Sequence, residues 1–446
     1  MFSLGWSTVW GEILVIFAYE RKISPLYLLA VGLFFALTIP IRTEAAEAPL
    51  SQGETLSLAR CLDIAGQKHP QIMAAQQTLD VLKSRVGQSR AGYYPQISWS
   101  AGMTRNASPL LPDPFNQYSH SLSLNQNIYD FNRVGMNVAI QRLNLEAALQ
   151  DRENVTLAII LGVKLAYYDV LRARHAREIS ADTVRQFEQH LVTAKGFYDV
   201  GVKPKFDVTK AEVDLSNARL NLVRAENGLI VAGAVLNNAM GLAAAPPYEL
   251  EEDVVRQERE WDLNECLKKA LLIRPDLQSF LRQREAAEQI IQLTRKDYLP
   301  TLSGSANYGW SGEEFPLQRG WNIGANLNFN LFNGFLTKNQ VGEAVANLEV
   351  FRANEEALRQ TIGLQVEQSF ANLQSAEKSI ATAEVTLRQA AENLLLAQGR
   401  YGAGVGSPLE VTDALVAQGN ARLTLSGALY DYKIAEASLQ RAMGEK

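Results

Sequence analysis

Three acidic side chains stand just past two turns in the chain. Asp207 follows Gly201–Lys205, and Glu410 and Asp413 follow Gly402–Ser407. Carboxylates so placed can bind cations, or can cap a helix start, whose unpaired N–H groups and positive dipole end attract negative charge. These two helix-start effects alone account well for Asp207. Gly402-x-Gly404-x-Gly406 has the glycine spacing of a nucleotide loop, but it follows a helical stretch and no Lys-Ser/Thr comes after it. Ser375-x-x-Lys378 lies in mid-helix without partners. His69, His120, His175 and His190 lack metal-ligand spacing, and are read as solvent or packing residues. Cys61 and Cys266, the only cysteines, are read as small buried residues on short helices, with a disulfide as the weaker alternative. Arg60 argues against Leu58–Cys61 as a lipid-attachment box. No catalytic constellation, cofactor loop or metal set emerges, so no enzyme is expected.

The elements carrying these residues are of two kinds. Trp321 to Phe332 alternates strictly between Trp321, Ile323, Ala325, Leu327, Phe329, Leu331 and a small or polar set of asparagines and Gly324. That period is a strand with a different environment on each face. Ile97, Trp99, Ala101 and Met103 alternate in the same way with Ser98, Ser100, Gly102 and Thr104. Strands are expected at about 97–104, 119–129, 302–310 and 321–332. Their cores hold no Lys, Arg, Asp or Glu. Trp99, Tyr118, Tyr129, Trp310, Trp321 and Phe332 lie near their ends, where the aromatic girdles of a membrane barrel belong.

The remainder is helical. Residues 131–199 contain no proline and are rich in Ala, Leu, Arg, Gln and Glu, good helix formers. Such a helix would be roughly 100 Å long, beyond the span of a globular domain. A return helix is expected over 206–241. The second half repeats the plan with short helices over 262–298, a long helix at 335–400 and a return at 408–443.

Hydrophobic content of 47% and a net charge of −5 select no partner. No run of like charge or basic patch points to nucleic acid. Arg21 and Lys22, an apolar run from Leu26 to Ile39, and Ala45, Ala46 and Ala48 follow the order of a secretory signal peptide. A retained anchor is the weaker alternative. No later stretch approaches the roughly 18 consecutive apolar residues of a spanning helix.

The chain is a duplication. Cys61-Leu62, Ala65, Pro70, Tyr93 and Pro95 recur at a constant offset as Cys266-Leu267, Ala270, Pro275, Tyr298 and Pro300. After a loop two residues shorter in the second copy, Leu124, Tyr198, Gly201, Val202 and Asn217-Ala218-Arg219-Leu220 recur as Leu327, Tyr401, Gly404, Val405 and Asn420-Ala421-Arg422-Leu423. The division is a targeting region at 1–48, a first repeat at 49–243, a Pro- and Glu-rich linker at 244–261, and a second repeat at 262–446. Four strands cannot close a wall, and an open edge in lipid leaves backbone groups unpaired. Several copies must therefore share one barrel, with the small polar set toward water and the apolar set toward lipid.

The duplication, together with Leu56-Ser57-Leu58-x-x-Cys61-Leu62-x-x-Ala65, His69-Pro70, Tyr94-Pro95, Leu299-Pro300, Arg400-Tyr401-x-x-Gly404 and Glu410-Val411-x-Asp413-Ala414, resembles the TolC family of outer-membrane efflux proteins over residues 55 to 444. The resemblance implies a membrane α+β fold: a homotrimer whose outer-membrane β-barrel takes four strands per chain and continues as a periplasmic α-helical barrel. It implies a passive exit duct of a tripartite efflux or type I secretion system. Its partners would be outer-membrane lipid, a periplasmic adaptor and an inner-membrane pump of RND, ABC or MFS type, with no cofactor. Gly201, Val202, Gly404 and Val405 would be the hairpin tips that meet the adaptor. Glu410 and Asp413 would ring the closed entrance, and Tyr401 and Asp207 would belong to the links that hold it shut. Two departures stand out: Gly406 replaces a basic linking residue of the best-known pattern, and Phe206 replaces a small hydroxyl residue. A periplasmic adaptor with coiled-coil hairpins is the alternative, but it would have one hairpin between split β-domains.

Overall fold

A computed structural model describes residues 53–107, 113–243, 245–252 and 261–446. The targeting segment expected at 1–48 lies outside them.

The duplicated sequence folds as a duplicated structure. In the first repeat, β1 (Thr55–Leu56), α1 (Leu58–Lys68) and α2 (Pro70–Arg90) lead into β2 (Gln96–Asn106) and β3 (Phe115–Tyr129). The long α3 (Arg133–Asp199) and its return α4 (Lys205–Ala239) follow. In the second, β4 (Glu249–Leu250), α5 (Leu263–Ile273), α6 (Pro275–Arg295), β5 (Thr301–Gly312) and β6 (Gln318–Asn328) lead into α7 (Leu336–Gly402) and α8 (Pro408–Met443). The caps repeat with the sequence. The side chains of Ser57 and Asp262, at equivalent positions, accept from the N–H of Arg60 and Glu265 and start α1 and α5. Pro70 and Pro275 then stop those helices and open α2 and α6, because proline fits a first turn whose N–H is unused.

Each long helix has 67 residues, hence a length of roughly 100 Å. Along α7 the buried positions Ala344, Leu348, Glu355, Ile362, Val366, Leu373, Ile380, Ala383, Ala390, Leu394 and Ala397 follow steps of three, four and seven. That is the narrow seam of coiled-coil packing. It packs against α6 and α8, and one core joins Ile362, Val366, Leu373 and Ile380 to Leu277, Tyr432 and Leu439. α3 contains the one stretch among the described residues that is long and apolar enough to cross a membrane by composition. Its Leu157, Val163, Ala166, Tyr167 and Leu171 are buried against other parts of the chain.

The four strands form one antiparallel sheet in the order β2-β3-β5-β6. Ile97 pairs with Leu124 and Leu302 with Leu327, so the ladder reproduces both offsets of the repeat. Three expectations need correction. The last strand, expected at 321–332, is Gln318–Asn328, so Phe332 lies past the sheet. Its partner β5 starts at Thr301, paired with Asn328, and Pro300 before it has no N–H to continue the ladder. The strands also run farther toward their loops than expected, which brings Arg105 into β2 and Arg319 into β6. Finally, the stretch read as a linker at 244–261 contains β4, which pairs in parallel with β1 through Thr55–Glu249 and Leu56–Leu250. The buried Tyr167 hydroxyl donates to the Glu251 carbonyl at 2.6 Å and fixes that pair to α3. Cys61 and Cys266 are buried in α1 and α5, and neither is in a disulfide.

Candidate functional site: the hairpin tips and the two-faced sheet

At each tip the chain reverses by the same device. The N–H groups of Gly201 and Val202 donate to the carbonyls of Tyr198 and Phe197, and those of Gly404 and Val405 to Tyr401 and Arg400. Gly201 and Gly404 have φ of +74° and +80°, the left-handed region that glycine enters without a Cβ clash. Val202 and Val405 project into solvent beside them. Gly406 has a different constraint. A Cβ there would stand 2.7 Å from the Tyr401 nitrogen and 2.9 Å from the Arg400 carbonyl carbon, so no basic side chain fits this turn.

The four candidate residues divide into two pairs. Asp207 and Tyr401 are buried, with Tyr401 only 2% exposed, while Glu410 and Asp413 are solvent-facing. Asp207 sits in the first turn of α4, where the positive dipole end favours an acid, but no side chain caps that helix. The capping acid is its repeat equivalent, Glu410. Its carboxylate accepts the Ser407 N–H in a full capping box and pairs with Arg400 Nε at 3.1 Å.

Tyr401 lies in a core drawn from all four long helices, with Val184, Phe187, Leu215, Ala218, Leu394, Val411 and Leu415. Its ring meets His190 at 5.5 Å and Phe197 at 5.4 Å, and Lys203 Nζ stands 5.5 Å from its centroid. Lys203 also donates to the Gly406 carbonyl at 3.3 Å, joining one turn to the other. Burial raises the Tyr401 pKa, and the Asp207 carboxylate raises it further. A second buried acid, Asp214, receives Lys210 Nζ at 2.5 Å and the Thr412 hydroxyl at 3.0 Å, tying α4 to α8.

His190 is the residue whose role here the sequence did not reveal. It is buried, and neither its Nε2 nor the Tyr401 hydroxyl has a hydrogen-bond partner among the described residues. Burial lowers the His190 pKa, Asp214 and Asp207 oppose that, and Lys210 adds to it. A lone histidine in a long helix carries no spacing signal, so only packing across helices could place it here.

At the other end, the sheet separates its side chains. One face carries Ser100, Gly102, Ser121, Ser123, Ser305, Asn307, Asn322 and Asn326, with Ser100–Ser121 at 2.7 Å and Asn307–Asn322 at 3.0 Å. The opposite face carries Ile97, Trp99, Leu122, Leu124, Ala306, Tyr308, Ile323 and Leu327. The expected girdle residues Trp99, Tyr118, Trp310 and Trp321 lie on this apolar face. Tyr129 ends β3, and Phe332 meets Phe335 edge-to-face at 5.3 Å past the end of β6. The arrangement offers two wettabilities on one sheet and a cluster of buried ionisable groups at the tips. Among the described residues no set of His, Cys, Asp or Glu could hold a metal ion.

A family model described as "Outer membrane efflux protein" matches residues 61–242 and 266–445, one segment per repeat. The chain is 25% identical over 425 residues to "Outer membrane protein TolC" of Vibrio cholerae serotype O1, covering 91% of this chain and 95% of that protein. Among solved structures, CusC superposes with a TM-score of 0.78 at 18% identity, covering 90% of this chain and 96% of CusC. The Campylobacter jejuni CmeC outer membrane channel superposes with a TM-score of 0.76 at 17% identity, covering 87% and 85%.

Proposed function

The chain belongs to the outer membrane efflux protein family, and from that premise we propose that three copies form a passive exit duct fed by a periplasmic adaptor and an inner-membrane pump. The protein is an outer-membrane efflux channel with a large periplasmic helical portion, and not an enzyme. The adaptor reading is not favoured.

One observation supports closure by identical copies most directly. Within the chain, β3 pairs with β5 across the two repeats, from Tyr118–Gly312 to Asn127–Ser303. The repeat offsets carry that pairing onto the two free edges, β6 of one copy and β2 of the next. Ile323 then meets Arg105, Asn326 meets Gly102, and Phe332 meets Ile97. The residues of β6 expected beyond Asn328 thus find their partner in a second copy. Three copies give twelve strands without an edge, which lipid requires. The ladder row from Ile97 passes Leu124, Ala306 and Ile323 and reaches Arg105 of the next copy. That is a stagger of eight residues per copy, and a closed barrel needs a fixed stagger of this kind.

In this assembly the Ser/Asn/Gly face lines the bore and the tips form the periplasmic mouth. Gly201, Val202, Gly404 and Val405 would meet the adaptor. Glu410 and Asp413, exposed and repeated three times, would favour cations at the entrance. Asp207 and Tyr401, with His190, would hold the packed form of the mouth. The test is purified protein in a planar bilayer: stepwise conductance from trimers is expected, and a monomer without conductance in detergent and bilayer would end the proposal.

A further inference from the structure

Along the four described strands the apolar face carries no Lys, Arg, Asp or Glu except Arg105 and Arg319 near its loop end. Arg105 has the same parity in β2 as Ile97, Trp99, Ala101 and Met103, and Arg319 the same parity in β6 as Trp321, Ile323, Ala325 and Leu327. Both are exposed, and neither forms an ion pair with another described residue. Glu313, Glu314 and Asp113 lie in the loops beyond the strands, outside the ladder.

The stagger fixes their relative heights, and this step rests on the trimeric duct reading. Eight residues over four strands raise the level by two residues per strand toward the loop end. Tyr118 pairs with Met103 and therefore stands level with Arg105. Trp310 and Trp321, the repeat equivalents of Arg105 and Tyr118, stand at the same level. Arg319, which pairs with Trp310, stands two residues farther out, about 7 Å along the strand at most. One ring of the closed wall thus holds Arg105, Tyr118, Trp310 and Trp321, with Arg319 immediately outside it. The aromatics mark the boundary between hydrocarbon and headgroups. An arginine there lays its stem along the apolar wall and keeps its guanidinium among the headgroups, where the planar fork matches phosphate oxygens.

We propose that Arg105 and Arg319, two per copy and six around the wall, form a cationic rim that binds the phosphates of lipid in the outer leaflet of the outer membrane. A wall that needed only to be wet at its top would place cations on either face. These two share the lipid-facing parity and the aromatic level, and a cation is tolerated on that face at the interface but destabilising at the midplane.

The test uses the full-length trimer in phosphatidylcholine nanodiscs, titrated with a bisphosphorylated glucosamine lipid and followed by native mass spectrometry. Wild type should retain the phosphorylated lipid, and R105Q/R319Q should weaken its retention about fivefold for each arginine removed from a lipid site. R105K/R319K should restore part of the loss, since the charge remains but the bidentate fork does not. Bilayer conductance of R105Q/R319Q should equal wild type, which certifies an intact duct. Equal lipid retention by wild type and R105Q/R319Q, with conductance intact, overturns the inference. So does displacement of the lipid by millimolar inorganic phosphate, which would make the rim a free-anion site. Absence of a conducting trimer in wild type would instead strike the duct reading beneath it.

Discussion

The register between copies can be tested to a single residue. Among the described residues the outer edge of β6 has no strand partner, and the repeat assigns Asn326 of one copy to Gly102 of the next, as Ser123 pairs with Asn307 inside the chain. Directly opposed residues in an antiparallel pair have Cα atoms about 4.5–5.5 Å apart, within the range a disulfide spans. A slip of two residues adds about 6.7 Å along the strand, which puts Asn326 about 8 Å from Ser100 or Thr104, beyond the roughly 7 Å limit. Both positions lie on the polar face, so a bridge would not disturb the lipid side. Cys61 and Cys266 are buried, and burial raises the Cys61 thiol pKa to about 11, so the native thiols compete poorly. In a C61A/C266A background, N326C/G102C oxidised in isolated membranes should give a covalent ladder ending at the trimer on a non-reducing gel, and reduction should collapse it. N326C/S100C and N326C/T104C should give at least about tenfold less. A dominant ladder from either slipped pair would refute the repeat-derived register. A native trimer with no ladder from any pair would refute pairing between β6 and β2 altogether.

Three further outcomes follow from the tips and the core. Burial holds the His190 pKa below its ordinary value near 6.5, and a hydrated, opened tip would restore it. The open form therefore binds the proton more readily, and acid should favour opening as pH falls through 6.5 toward the lowered value. Single-channel open probability should rise between pH 7.5 and 5.5 and H190Q should flatten that profile, whereas an unchanged profile in H190Q would assign the response elsewhere. E410Q/D413N should reduce cation-over-anion permeability several-fold in a salt-gradient reversal-potential measurement, because in the proposed trimer it would remove six carboxylates from the mouth. I362A, at a fully buried seam position of α7, should cost about 2–5 kcal/mol and lower the Tm measured by circular dichroism, while conductance of the folded trimer is kept.

The sequence was most legible where a period was long and unbroken. The 67-residue helices could be read because no proline interrupts them, and the strands because alternation of Ile97, Trp99, Ala101 and Met103 admits no helical reading. The end of β6 could not be read, because Phe329 and Leu331 continue the same alternation. The boundary is set by Pro300 on the neighbouring strand, which is information about pairing. β4 was hidden for a related reason. Glu249–Leu250 has no strand period of its own and exists because Thr55–Leu56 and Tyr167 hold it. At the tips, residue type placed Asp207 and Glu410 at helix starts but could not give their environments. Helix starts attract acids in general, and only tertiary packing decides that the exposed Glu410 caps while Asp207 is enclosed.

That last difference matters for how the mouth could work. Tyr198 and Tyr401 are repeat equivalents, as are Asp207 and Glu410, and their backbones follow the same turn. Yet Tyr401 is 2% exposed and Tyr198 is 44% exposed. A wall built of equivalent hairpins would have six equivalent tips, and such a ring could narrow only if all six moved alike. Here the α7–α8 tip is held through Tyr401 against His190, Phe197 and Lys203 of the α3–α4 hairpin, so one hairpin of each pair is anchored on the other. The contact buries the Tyr401 hydroxyl and the His190 Nε2, which lack hydrogen-bond partners among the described residues, and each such group costs free energy that water would recover. The packed tip is thus stabilised by its apolar core and opposed by its own buried polar atoms. In the proposed trimeric duct, a small perturbation at Lys203 or His190 would therefore shift one hairpin relative to the other, three times around the mouth, while the twelve-strand end would keep its register.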